Sequence, residues 1–129
     1  MKMSDVQQLE NNARNQKWDS VDRAIPRAVR KSEVISAAMV VWINDSDVNV
    51  RDLAGSVLEK AKLTQVQFRQ VTPDLLRTIS NDGNNYAGFR AACALAAHGY
   101  KAKEVLGVLR RFESDKDVGK IARKYLGSQ

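Results

Sequence analysis

The sequence predicts an all-α fold: a short α-solenoid, or superhelix, of about four antiparallel helix pairs. Three observations predict it. Chain breakers are scarce, with two prolines and seven glycines in 129 residues, which disfavours a sandwich of short strands. Apolar residues recur at three- and four-residue spacing, the period of one helix face. One such stripe also returns along the chain, led by Val21, Val50, Phe89 and Val118 at separations of 29, 39 and 29 residues. Self-similarity at roughly 30–40 residues marks stacked helix pairs.

The elements follow in order. Ser4–Gln16 opens on a Ser-x-x-Gln capping box and carries a thin apolar stripe, Val6, Leu9 and Ala13. After "WDS" come Val21, Ala24, Ile25, Ala28 and Val29. Pro26 falls inside this pattern and either kinks the helix or begins a longer one running toward Trp42. Ser32–Asn44 places Ile35, Ala38, Met39, Trp42 and Ile43 on one face. Asp45, Ser46 and Asp47 then supply acceptors for the next helix start, and Val50, Leu53, Ala54, Val57, Leu58 and Ala61 form its stripe. In Thr72–Ser80, Thr72 reads as an N-cap and Pro73 as the first helical residue. Phe89, Ala92, Cys93, Ala96 and Ala97 repeat the stripe, Val105, Leu106, Leu109 and Phe112 follow on Ala102–Phe112, and Val118, Ile121, Ala122, Tyr125 and Leu126 close the series after "SDKD". Turns are predicted near Lys17, Lys31, Asn44, Leu63, Asn81–Asn85, Gly99-Tyr100 and Ser114. In this register Ala54, Cys93 and Ala122 are equivalent buried positions.

The segment "DVNVRDLAGSVL", Asp47–Leu58, resembles the second helix of a HEAT repeat: an acidic turn, a Val-Arg pair, then small and apolar residues. "FRAACALAAHG", Phe89–Gly99, resembles the phycobilisome-lyase-type variant of that repeat, and "DKDVGKIARKYL", Asp115–Leu126, is a weaker third copy. The Val-Arg pair stands at Val50-Arg51 and, with Phe for Val, at Phe89-Arg90. The third copy has Gly119 in place of Arg, and the second has Tyr86 where the first has Asp47. The resemblance spans about 32–126. It implies one right-handed superhelical domain over 1–129, with divergent capping helices in 1–31 and repeats in 32–63, 72–99 and 102–127. It also implies a binding function.

Composition adds limits. A hydrophobic content of 43% and a charged content of 28% are ordinary for a soluble globular chain. Cys93 is the single cysteine and has no internal disulfide partner, which fits a reducing compartment. The first sixteen residues lack the apolar centre of a signal peptide, and no apolar run is long enough to span a membrane. A cytoplasmic location without membrane contact is expected.

No constellation of catalytic residues is legible. His98 and Cys93 are five apart, off a common helix face; Cys93 suits the core, and His98 suits a helix end before Gly99. Asp45, Asp47 and Asp52 lack the order of a calcium loop. No glycine-rich phosphate loop, serine elbow or Cys-x-x-Cys occurs. The expectation is therefore no enzyme activity, no cofactor and no metal. Arg51 and Arg90 have acids in nearby turns and are expected to knit the repeats together.

The net charge is +6. Residues 65–129 hold 11 Lys+Arg against 6 Asp+Glu, whereas 1–64 hold 10 against 9. Opposite the four stripes lie Arg23, Pro26, Arg27 and Arg30; then Asp52, Gly55, Ser56 and Glu59; then Ala91, Ala94, Leu95 and His98; then Lys120, Arg123, Lys124 and Gly127. Stacked helices would join these positions into one surface. Its apolar part, Ala91, Ala94 and Leu95, is either covered by a neighbouring element or an open groove. The leading expectation is a small non-enzymatic adaptor or scaffold that binds a partner protein there, with Arg23, Arg27, Arg30, Leu95, His98, Lys120, Arg123 and Lys124 as binding residues. The alternative is nucleic acid, or another polyanion, on the basic faces.

Overall fold

Side-chain caps start four of the α-helices. In the computed structural model, which describes residues 3–127, helix α1 (Asp5–Arg14) starts on the expected box: the Gln7 amide donates to Ser4 Oγ and the Ser4 amide to Gln7 Oε1, both at 3.1 Å. Then come α2 (Trp18–Ala28), α3 (Ser32–Ser36), a π-helical turn (Ala37–Val41) and a 3₁₀ turn (Trp42–Asn44). Helices α4 (Val48–Lys60), α5 (Gln65–Asp82), α6 (Tyr86–Ala97), α7 (Lys103–Arg111) and α8 (Gly119–Gly127) complete the chain. The described residues are all-helical, without a strand. Asp47 caps α4 by accepting from the Asn49 amide at 2.8 Å, and Asn85 caps α6. At the other end of α6 the Tyr100 amide reaches the Leu95 carbonyl (2.9 Å) and the Gly99 amide reaches Ala96 (3.0 Å). Gly99 has φ +91° there, the left-handed turn that glycine makes without steric cost.

Three sequence expectations need correction. Thr72 and Pro73 do not open a helix. Thr64 and Gln67 form a capping box eight residues earlier, and α5 runs through Pro73. The proline is exposed, so the Arg69 carbonyl left without its amide donor faces water. Pro26 neither kinks the middle of a helix nor begins one that reaches Trp42. It is third from the end of α2, and the chain breaks at an extended Lys31 before α3 starts. Finally, Ser32–Asn44 does not bury the predicted face. Val34, Ala38, Trp42 and Ile43 are buried, while Ile35 and Met39 are only half-buried. At a spacing of four, an α-helical stripe drifts by about 40° per step; the wider π turn removes drift and keeps Val34, Ala38 and Trp42 in line.

The packing is ordered along the chain. α1 packs on both α2 and α4, the α3–π–3₁₀ stretch on α4, α5 on α6, and α7 on both α6 and α8. The even-numbered helices also touch in sequence, α2 to α4, α4 to α6 and α6 to α8, while α1 touches α3, the 3₁₀ turn touches α5, and α5 touches α7. Ala54, Cys93 and Ala122 are all 0% exposed, as the register requires. The tightest seam is α4 on α6. A Cβ at Gly55 would lie 2.8 Å from the Arg90 carbonyl carbon and Cβ, so glycine sets that interhelical approach.

Candidate functional site

Helix α2 buries Val21, Ile25 and Ala28 and turns Arg23 and Arg27 outward, and Arg30 is exposed just past its end. Arg23 and Arg27 stand one helical turn apart, about 6 Å of rise, and Arg30 follows in the turn beyond Ala28. Among the described residues none of the three makes an ion pair. They line a cleft of ≈ 630 Å³ between α1 and α2, with Gln8 and Asn12 amides and Leu9 in its wall. Asp5 and Lys31, paired with each other, also line it. Basic residues at the C-terminal end of α2 also suit the negative end of its dipole.

The remaining expected binding residues are distributed differently. Lys120, Arg123 and Lys124 are exposed on α8, but Arg123 Nη1 donates to the Glu113 carbonyl at 2.6 Å, and Lys124 Nζ sits 5.0 Å from the Tyr125 ring centroid. Leu95 is 0% exposed and cannot line a surface. Ala91 and Ala94 are buried with it because α6 is enclosed by α4, α5, α7 and α8; the covered reading of this face holds, and the open groove is excluded. His98 Nε2 donates to the Leu58 carbonyl at 2.8 Å and its ring packs 5.1 Å from Phe68, so the imidazole clasps the ends of α4 and α6. The basic faces of α2 and α8 are therefore not joined by an exposed apolar strip.

The α4 positions read as an outer face are also mostly interior. Gly55 and Glu59 are buried, and Asp52 and Ser56 are half-buried. The close approach at Gly55 brings α6 over that side. Burial pushes the Asp52 carboxyl up to about 6, against the opposing pull of Arg90 and the Ser56 hydroxyl. Cys93 is 0% exposed, and burial, then the Glu59 carboxylate, pushes its thiol far above its ordinary value, the reverse of what activates a cysteine.

Arg51 and Arg90 join elements as expected, but through carboxylates 31 positions away and not through those of nearby turns. Arg51 Nε donates to Asp82 at 2.8 Å and Nη1 to the Asp45 carbonyl at 2.8 Å, joining the start of α4 to the end of α5. Arg90 Nη1 stands 3.6 Å from Glu59 Oε1. Sequence reasoning missed that Glu59 is an interior hub. Tyr125 Oη donates to its Oε2, and Lys60 Nζ lies 3.6 Å away. A charged residue interrupting the apolar run "VLEKA" is the one local trace of it.

Among the described residues no group of three or more His, Cys, Asp or Glu side chains is placed to hold a metal ion, and no helix is long and apolar enough to cross a membrane. No family model matches the chain, and no curated protein or solved structure matches it either.

Proposed function

We propose that the chain is a non-enzymatic, HEAT-like helical-repeat module that recruits a partner protein through its second, even-numbered helices, with the α2 end as the working surface. The neighbour-to-neighbour packing of α2, α4, α6 and α8 supports the repeat reading. The cleft beside α2 carries the functional one: three guanidiniums that make no ion pair among the described residues stand over a wall that includes Leu9, Ala24 and Ala28. A mixed basic and apolar lining suits an acidic protein surface. Cys93 and His98 are both committed to packing, which is in keeping with a binding role.

A second reading, nucleic-acid binding, is favoured by the exposure of Arg23, Arg27 and Arg30 along α2 and just past its end. The test is affinity capture from the native host with and without nuclease, using wild type and the Arg23→Glu/Arg27→Glu/Arg30→Glu variant. A protein retained after nuclease treatment by wild type and lost by the variant supports recruitment. Capture that vanishes with nuclease and falls steeply with salt supports the second reading. Equal capture by both chains overturns the assignment to α2.

A further inference from the structure

On the other side of the C-terminal half of α2 lies a second cleft, of ≈ 600 Å³. Its lining is Pro26, Val29, Arg30, Ile35, Lys60 and Lys62. Three stretches build it: the end of α2 with the two residues after it, Ile35 of α3, and the end of α4 with its following residues. The break at Lys31 separates α2 from α3, so the cleft is lined from both sides of it. Val29 and Ile35 are half-buried, so they supply apolar surface without being consumed by the core. Arg30, Lys60 and Lys62 are exposed, and no carboxylate is among the lining residues. Lys60 is tethered by Glu59 at 3.6 Å, whereas Arg30 and Lys62 make no ion pair among the described residues.

We infer that this cleft binds a short acidic segment of a partner protein, seating one or two of its aliphatic or aromatic side chains on Pro26, Val29 and Ile35 while flanking carboxylates meet Arg30, Lys60 and Lys62. The inference rests on the partner-recruiting reading and names the partner's chemistry. The volume falls in the range of sites that hold a few side chains. Cations around an apolar floor reward a ligand that carries both features. A nucleic-acid strand would use the cations only, because the cleft offers no aromatic ring for base stacking. Arg30 and Pro26 also line the α1–α2 cleft, so Arg23 and Arg27 extend the same positive field to a longer acidic stretch.

The test is a fluorescence-anisotropy titration of the full chain with four probes: a labelled peptide alternating Glu with Leu and Phe, an all-Glu peptide of equal length, a single-stranded oligonucleotide, and vesicles of phosphatidylserine and phosphatidylcholine. The acidic-apolar peptide should bind at least about tenfold more tightly than the all-Glu peptide, the factor that burying one aliphatic side chain implies. Lys62→Glu, an exposed change that leaves folding intact, should weaken it by about tenfold or more, as should Ile35→Ser. Lys103→Glu, on α7, should leave it unchanged. Equal binding of both peptides overturns the apolar floor. Tighter binding of the oligonucleotide or the vesicles, lost in Lys62→Glu, overturns the choice of a protein ligand. If the peptide fails to bind while the Arg23, Arg27, Arg30 reversal still abolishes capture of a nuclease-resistant partner, this cleft falls and the recruiting reading stands. If both fail, the reading falls with it.

Discussion

Tyr125 Oη donates to Glu59 Oε2 at 2.6 Å across 66 positions of the chain, fastening the last helix to the end of α4. The Glu59 side chain is 1% exposed, and its other oxygen has no hydrogen-bond partner. Arg90 at 3.6 Å offsets the charge only in part. Tyr125→Phe removes the bond and leaves a buried carboxylate less satisfied, at a cost of about 1–3 kcal/mol in urea unfolding. A double-mutant cycle with Glu59→Gln should return a coupling energy of about 1 kcal/mol. Strict additivity would contradict the pairing.

The α4–α6 seam and α7 predict opposite results for the same substitution. Gly55→Ala puts a methyl 2.8 Å from Arg90 backbone and Cβ atoms and should destabilise the fold by about 1–3 kcal/mol, despite alanine's better helix propensity. Gly107 lies inside α7 with open space at its Cβ position, so Gly107→Ala should stabilise by about 0.5–1 kcal/mol. Paired denaturation midpoints check both.

Gln16 carries φ +58° at the end of α1, where its amide bonds the Ala13 carbonyl and the Lys17 amide bonds that of Asn12. A side chain with a Cβ is strained in this left-handed turn. Gln16→Gly should raise stability by about 0.5–1 kcal/mol. The converse change, Gly99→Ala at φ +91°, should lower it by about 1 kcal/mol. Thermal midpoints moving the other way in either variant would refute the geometry.

Asp52 makes stability depend on pH. An unfolded aspartate titrates near 3.9, whereas burial holds folded Asp52 at about 6. Between those values the folded chain keeps a proton that the unfolded chain has lost, so stability falls as pH rises from about 4 to about 6 and stays lower above. Asp52→Asn should flatten that window and be more stable than wild type at pH 7 by roughly 1–2 kcal/mol, with little difference at pH 4. Asp45 acts oppositely at lower pH. The Arg14 hydrogen bond holds its carboxyl below the usual range, so its contribution is present above about 4 and lost on further acidification. Urea titrations across pH 3–8 separate the two.

Features written in adjacent residues were legible in the sequence. Ser4 with Gln7, Asp47 before α4, and Gly99 after α6 specify turns through contacts within a few positions, and each functions as read. Thr72-Pro73 misled because a proline at a helix start and one on an exposed helix flank look alike locally. The competing Thr64–Gln67 box decided between them. The π turn after α3 was hidden because Val40 and Val41 are apolar yet 67% and 56% exposed, which obscures the period. Of the candidate site, the α2 arginines could be placed from helical spacing alone. The second cleft could not, because it depends on bringing Lys60 and Lys62 beside Pro26 and Ile35, a tertiary arrangement that no local pattern encodes. Glu59 was misplaced for the same reason: its partner is 66 positions away.

Trp42 is fully enclosed and its indole Nε1 donates to Glu10 Oε1 at 2.9 Å, while Trp18 is half-buried on α2. These are the two tryptophans of the chain, and both precede α4. Intrinsic emission is therefore an end-specific reporter: its red shift records the loosening of α1 and the turns after α3 and is blind to α7 and α8. Far-ultraviolet dichroism counts helix everywhere. Recorded together during a melt, the two signals read out cooperativity directly. Superimposed curves would mean that the α4–α6 seam makes the chain melt as a unit; an emission change preceding the dichroic one would mean that the end bearing the α2 clefts opens first, while the remaining helices hold.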